Sequence, residues 1–169
     1  MKKLLNLSIT SNKKLNFAKD KFQALIVGVS DSKTLNGDVK NIDNATNGLI
    51  KKLISREELT GKIGNSVYLP TLNGIKADKT YLIGTGGKNK KISEVEFFKI
   101  CQSISSAALS SKNSSIKVII PEILVENRDT NWTMEVLGRH LESSSYQYFF
   151  KGKKDQPKNV LKKIEIFIA

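Results

Sequence analysis

Hydrophobic residues recur along this chain with two different periods, and the places where the period changes mark out strands and helices. Over residues 4–10, Leu5, Leu7 and Ile9 alternate with Asn6 and Ser8, the pattern of a half-buried strand. Residues 22–29, FQALIVGV, are nearly continuous apolar sequence between polar clusters, which suits a central strand covered on both faces. After the turn-rich DSKTLNGD, Val39, Ile42, Ala45, Leu49 and Leu53 recur at helical spacing. Ile50 and Ile54 widen the stripe, predicting one amphipathic helix that runs to about Ser55. SVYLP (66–70) and KTYLIG (79–84) read as strands, and Asn73-Gly74 between them favours a tight reversal into an antiparallel pair. Ser93 and Glu96 have the spacing of a capping box, and behind them Phe97, Cys101, Ile104 and Ala108 line one helix face. Ile116 to Ile120 is a short strand ended by Pro121. A third helix is predicted over Asn131 to Ser143, with Trp132, Val136, Leu137 and Leu141 inward. GKKDQPKN (152–159) reads as a loop. In the final KKIEIFIA, Ile164, Ile166 and Ile168 alternate with Lys163, Glu165 and Phe167. The order β-β-α-β-β-α-β-α-β predicts an α/β domain with a mixed sheet and helices on both faces.

Length and composition narrow this picture. At 169 residues the chain is expected to be one domain, and such a domain buries roughly 70% of its unfolded surface without help from disulfides or metals. The single cysteine, Cys101, excludes an internal disulfide framework and fits a reducing compartment. Asn6 and Ser8 interrupt the N-terminal apolar run, so MKKLLNLSITSNKK reads as a strand and not a signal peptide. No apolar run approaches the roughly 20 residues needed to span a bilayer, and a cytoplasmic location is expected, with no membrane partner. The net charge of +12 raises nucleic acid as a partner. Yet of 28 basic residues only Arg56, Arg128 and Arg139 are arginine, the residue best suited to bidentate phosphate contacts. Scattered lysine beside abundant Asn and Ile also fits compositional bias, so DNA stands as one reading of the charge.

Candidate chemistry concentrates in residues 55–88. IGTGGK (83–88) lies between a strand and a helix, where glycine-rich loops cradle phosphate, and Gly84, Gly86, Gly87 and Lys88 are the candidate phosphate-loop residues. The spacing matches neither the P-loop nor the dinucleotide fingerprint, because the lysine comes too early and Asn89 follows. A strand-to-helix turn needing positive φ explains the same glycines. Arg56, Glu57, Glu58 and Lys62 sit where a helix ends. They read as a structural turn, with Glu58 free to pair with Arg56 or Lys62. His140, the only histidine, lies beside Arg139 on a solvated helix face, and Cys101 falls in an apolar stripe, so neither suggests metal binding or nucleophilic chemistry. YQYFFKGKK (146–154) interleaves aromatics with lysines, as single-strand binders do, but its contiguous aromatics equally suit packing of a chain reversal. The acidic residues are scattered and form no metal-binding or glycosidase-type pair.

These stretches, taken in order, resemble the N-terminal domain of the leucyl aminopeptidases (cytosol aminopeptidases, the M17 metallopeptidases). ALIVGV is followed by a helix ending in Arg56, Glu58, Leu59, Gly61, Lys62 and Gly64, similar to the family's R-x-E-L-x-G-K-x-G turn. A strand ending in Leu69-Pro70 comes next, then Leu82, Ile83, Gly84, Gly86 and Lys88, similar to L-I-G-x-G-K. Tyr146 to Lys151 falls where these domains carry a Y-x-F-type motif. Gly87 is extra in the glycine motif, and Phe149 stands where an acidic residue is common. The resemblance implies a macro-domain-like three-layer α/β/α sandwich with a mixed, mostly parallel sheet of about six strands. It implies that residues 1–169 form one N-terminal domain, that this domain has no cofactor, and that the two divalent ions (zinc or manganese) and all catalytic residues lie in a C-terminal domain absent from this chain. No N-T-D-A-E-G-R-type motif occurs here, and a chain that stops at its last strand fits a domain taken from a longer protein. The implied partners are that catalytic domain and a homohexamer, and DNA in some bacterial members. A macro-like sheet also admits ADP-ribose or another phosphate ligand as an alternative.

Overall fold

The computed structural model describes residues 5–11, 14–35, 37–87, 89–150 and 161–168, with backbone alone at residue 11 and residues 146–150. Six strands form one sheet: β1 (Asn6–Ser11), β2 (Phe22–Asp31), β3 (Ser66–Leu69), β4 (Ala77–Gly87), β5 (Ser115–Ile120) and β6 (Lys163–Ile168). Their order is β1-β6-β5-β2-β4-β3, and every pairing is parallel except the antiparallel β3–β4 ladder. Helices α1 (Gly37–Ala45) and α2 (Leu49–Ser55) cover one face; α3 (Glu94–Ser110) and α4 (Thr130–Phe150) cover the other. The expected α/β class, the mostly parallel six-stranded sheet and the β3–β4 pair are all present.

The two cores follow from strand alternation. In β2, Ala24 and Ile26 pack under α3 and α4, while Leu25, Val27 and Val29 pack under α1 and α2. Both faces of a parallel strand flanked by crossover helices are covered, which is why FQALIVGV is apolar throughout. The capping box forms as predicted: Ser93 Oγ accepts the Glu96 N–H (3.2 Å), and the Glu96 carboxylate accepts the Ser93 N–H (2.8 Å). Phe97, Cys101, Ile104 and Ala108 are buried behind it.

Several expectations need correction. The helix predicted over 39–55 is two helices. Asn47 and Gly48 adopt positive φ (55° and 77°), and the Gly48 N–H donates to Asp43 O (2.8 Å), ending α1. The stripe continues across the break because both helices face the same side of the sheet, and the buried Asp43 carboxylate accepts the Lys51 N–H of α2 (3.0 Å). Asn73-Gly74 does not make a two-residue hairpin: Pro70 to Lys76 form a longer connection. A Cβ on Gly74 would overlap the carbonyl of Ala45 at the end of α1. The third helix extends to Phe150, so Tyr146 to Phe150 continue α4 instead of reversing the chain. Ile9 is exposed because β1 is an edge strand, and Phe167 is buried because β6 lies between β1 and β5 with both faces covered. Trp132 and Val136 are half-buried, with Met134 taking the core position beside Leu137 and Leu141. The expected loop at 152–159 and the residues Lys88 and Lys151 lie outside the described residues.

The turn at residues 56–65 is where the chain is most closely fitted to the sheet. Glu57, Gly61 and Gly64 have φ of 59°, 72° and 91°. The Gly84 N–H donates to Asn65 O (2.8 Å), and the Gly86 N–H donates to Gly61 O (2.9 Å). The Asn65 side chain accepts the Thr60 N–H (2.9 Å), holding the turn closed on itself. The turn therefore takes over from β3 along the edge of β4, and IGTGG (83–87) remains strand where a loop was predicted. A bulge at Thr85 shifts the register, so that Val29 pairs with Gly84 and Ser30 with Gly86. A Cβ on Gly84 would overlap the Lys62 carbonyl, and one on Gly61 would overlap the backbone at Ser30 and Asp31.

Gly84→Ala and Gly61→Ala should each lower unfolding free energy by about 2–4 kcal/mol, because backbone must move. Gly64→Ala, whose Cβ meets nothing within 4 Å, should cost only the left-handed strain, about 1–2 kcal/mol. Urea titrations of the three variants check the order; equal losses would contradict the close fit. Burial pushes the Cys101 thiol up from 9.0 to about 12. The unfolded chain then ionises before the native one, so this group's contribution to stability is full below about pH 8.5 and is lost as pH rises through the raised value. Cys101 should resist thiol reagents at neutral pH in native protein and react once it is unfolded in urea.

Candidate functional site

The carboxyl ends of β2, β4 and β5 surround a cavity with a volume of about 290 Å³. Topology opens it. The segment leaving β2 enters α1 on one face of the sheet, whereas the segments leaving β4 and β5 enter α3 and α4 on the other. Connections that diverge from neighbouring strands leave a crevice between them, the usual place for ligands in open α/β sheets.

Gly28 and Ser30 of β2 and Thr85, Gly86 and Gly87 of β4 form the base. Gly28 lets the strand ends close up, since a Cβ there would lie 2.9 Å from both Pro121 Cδ and Thr85 Cγ2. Gly37 and Val39, from the first turn of α1, form one wall. Ile119 and Ile123, flanking the end of β5, form the opposite one. Among the described residues, the charged ones lining the cavity are Lys90 and Glu122, both exposed. Glu122 accepts a hydrogen bond from the Thr130 hydroxyl (3.0 Å). Thr85 is 6% exposed, and its hydroxyl has no hydrogen-bond partner among the described residues, yet it is not one of the polar atoms sealed from solvent.

The structure separates the residues that the sequence grouped. Gly84 is covered by Lys62 and cannot face a ligand, whereas Gly86 and Gly87 do line the cavity. Arg56, Glu58 and Lys62 are exposed on the turn, and none joins an ion pair among the described residues, so the suggested Glu58 partnership is absent there. Gly61 and Gly64 supply its left-handed positions. Cys101 is buried in the core and His140 is half-buried on α4. The side chains of Tyr146 to Phe150 lie outside the described residues. No group of three His, Cys, Asp or Glu residues converges among the described residues, so these side chains do not fit a metal pair. Thr85 and Gly28 went unremarked as site residues, because only the bulge and the sheet order bring them together.

A second, more open groove lies between β3 and α3. There Tyr68 and Tyr81 pack with ring centroids 5.0 Å apart, and burial, then Tyr68, raises the Tyr81 hydroxyl pKa.

Comparisons with known proteins agree with the motif order. Residues 26–154 match the profile of the cytosol aminopeptidase family, N-terminal domain. The chain is 30% identical over 147 residues to a probable cytosol aminopeptidase of Pseudomonas fluorescens (strain Pf0-1), covering 86% of this chain and 29% of that protein. It is 25% identical over 149 residues to that of Burkholderia orbicola (strain MC0-3), again covering 29% of the relative. Among solved structures, a tomato leucine aminopeptidase mutant superposes with a TM-score of 0.67 at 19% identity, covering 99% of this chain and 33% of that one. The macrodomain of Mycobacterium tuberculosis DarG superposes with a TM-score of 0.57 at 14% identity, covering 94% and 96%. These superpositions establish a macro-like fold, and the chain spans under a third of the length of its curated relatives. The family match over residues 26–154, on a sheet whose β4 edge is closed by the Arg56–Gly64 turn, shows that this chain belongs to the cytosol aminopeptidase family as its N-terminal domain.

Proposed function

We propose that residues 1–169 form the non-catalytic assembly and active-site-access domain of a metal-dependent leucyl aminopeptidase. The observation that carries this reading is the family match, which falls on the N-terminal domain of proteins about three times as long. The whole enzyme would release N-terminal residues from peptides in the cytoplasm, as a homohexamer. Its two divalent ions, zinc or manganese, would be held by the catalytic domain and would supply an activated water and a polarised carbonyl there. This chain's part is to present rigid surfaces: two covered sheet faces and a closed β4 edge. No helix among the described residues is long and apolar enough to cross a membrane.

A basic edge supports DNA as a further partner. Lys21, Lys76, Lys79, Lys117, Lys162 and Lys163 lie at the amino ends of β2, β4, β5 and β6. Backbone bonds from Phe22 N to Lys76 O (2.8 Å) and from Lys162 N to Ser114 O (2.9 Å) tie these ends into one rim. Glu165 engages Lys117 and Lys163, leaving a net positive surface. The crevice at the opposite edge supports the small-ligand alternative.

The purified 169-residue chain should fold and show no hydrolysis of leucine p-nitroanilide with added zinc or manganese. Metal-dependent turnover by this chain alone would overturn the assembly-domain reading. In gel shifts, Lys21→Glu with Lys76→Glu should weaken retardation of duplex DNA, and moderate salt should weaken it for the parent chain through counterion uptake. Retardation unchanged by the double reversal would remove the rim as the DNA contact.

A further inference from the structure

We propose that the outer edge of β3 pairs with the β3 edge of a second copy of this chain, joining two six-stranded sheets across a two-fold axis. β3 is the last strand of its sheet, so one side of its backbone has no neighbouring strand. The register fixes which groups are left over. β3 sets Ser66 opposite Ile83 and Tyr68 opposite Tyr81, and the Gly84 N–H donates to Asn65 O just before the strand. Hydrogen-bonded and non-hydrogen-bonded pairs alternate along an antiparallel ladder. Val67 and Leu69 therefore turn their backbone groups to β4, and Ser66 and Tyr68 turn theirs outward. Neither outward N–H finds a partner among the described residues.

Charge is what selects a second copy. At a two-fold contact each patch meets itself, so any charge there meets its own like charge. This chain is 26% charged with a net charge of +12, yet residues 63–75 hold no charged residue, and neither do residues 100–111. These are the longest uncharged runs in the sequence. The fold brings them together: the first carries β3, the second belongs to α3, and they form the two sides of the groove beside the free edge. Lys99 is the one charged residue lining that groove. Lysine on an edge strand is a common guard against pairing, and β3 has none. The other edge strand, β1, lies between residues outside the described set, so the argument is confined to β3.

The groups left over on β3 complement themselves in one register. With the axis at Val67, Ser66 lies opposite Tyr68 of the second copy, and Tyr68 opposite its Ser66. Each pair exchanges both backbone bonds, and no outward N–H or C=O is left unused. An axis at Tyr68 would set Ser66 against Pro70, which has no N–H to give. The side chains fit the same register. Ser66 and Tyr68 share the sheet face that carries α3, because Tyr81, opposite Tyr68, packs on the core beneath that helix. Directly opposed residues lie on one face, so Tyr68 of the second copy stands beside the small Ser66 at the groove mouth. Ser103, Ser106 and Ala107 keep the groove open to about 570 Å³, and Tyr68 is 51% exposed in the single chain. The edge is only four residues long, which puts the contact in the small, weak class of interface, under roughly 1,200 Å².

This contact does not rest on the aminopeptidase reading or on the homohexamer. Hydrolysis of leucine p-nitroanilide by the full-length protein tests that reading separately.

The test is made on the 169-residue chain in moderate salt, which screens repulsion between the two positive copies. Sedimentation velocity should show the mass rising from monomer toward dimer with concentration, in the high micromolar range. Hydrogen exchange at the Ser66 and Tyr68 amides should slow over the same range. Tyr68→Lys, a change at an exposed position, should abolish both effects, with circular dichroism and the urea midpoint showing that the variant is folded. Val67→Cys should form an intermolecular disulfide under mild oxidation, since Cα atoms of a non-hydrogen-bonded pair lie about 4.5 Å apart, within disulfide reach. Leu69→Cys should not, because this register separates the two copies of residue 69 by roughly 13 Å along the strands. A chain that stays monomeric at every concentration, with neither cysteine variant cross-linking, overturns the proposal. So do equal cross-linking at 67 and 69, and a dimer indifferent to Tyr68→Lys. A monomer whose Ser66 and Tyr68 amides are protected only by an added extended peptide overturns it too, and assigns the edge to peptide capture.

Discussion

The close approach of the 56–65 turn to the end of β4 is the contact on which the rest of this domain depends. It requires backbone to lie on backbone, and only glycine at 61 and 84 leaves the room. Two hydrogen bonds, from Gly84 N to Asn65 O and from Gly86 N to Gly61 O, then satisfy donors on a strand that the short β3 has ceased to cover. An unpaired strand edge near the core would be a liability both for stability and for aggregation. Closing it with a turn instead of a longer strand leaves β4 free to bulge at Thr85 and to bend into the crevice.

That bulge links fold to site. It adds one residue to β4 relative to β2, so the ladder resumes at Ser30 and Gly86 with Thr85 set between. Gly28 on the neighbouring strand leaves space for Pro121 and Thr85 to approach. The crevice is therefore built by parts of the chain nearly a hundred residues apart, brought together because β2 is central and β4 and β5 flank it. Its opposite pole, the lysine rim at the amino ends of the same strands, arises from the same parallel arrangement. One sheet thus presents a mainly apolar cavity at one edge and a lysine-rich rim at the other.

Much of the local structure was legible because it rests on short-range physics. FQALIVGV reads as a doubly covered strand from its own composition, and Ser93 with Glu96 announces a helix start from spacing alone. The helix break at Asn47-Gly48 carries a turn signal, but the apolar stripe runs through it, since both halves face one sheet surface. Phe167 looked like the polar-side partner of an alternating strand. Its burial depends on β1, more than 150 residues earlier in the chain, pairing on the far side of β6. The glycine motif was read as a loop because its partners, Gly61 and Asn65, are specified by the turn and not by the motif.

The sequence by itself determined the family, the alternation of strands and helices, the capped helix and the burial of Cys101. These follow from periodicity, from caps, and from a motif order that survives without coordinates. Only the tertiary structure decided which glycines turn the chain, which seal it and which line a cavity. Gly61, Gly84 and Gly86 are the same residue in a sequence, and their roles differ in what lies across from the missing Cβ: backbone for Gly61 and Gly84, the side chains of Ile63 and Ile92 for Gly86. The gathering of scattered lysines into one rim was equally invisible, because charge has position only after the strands have been ordered.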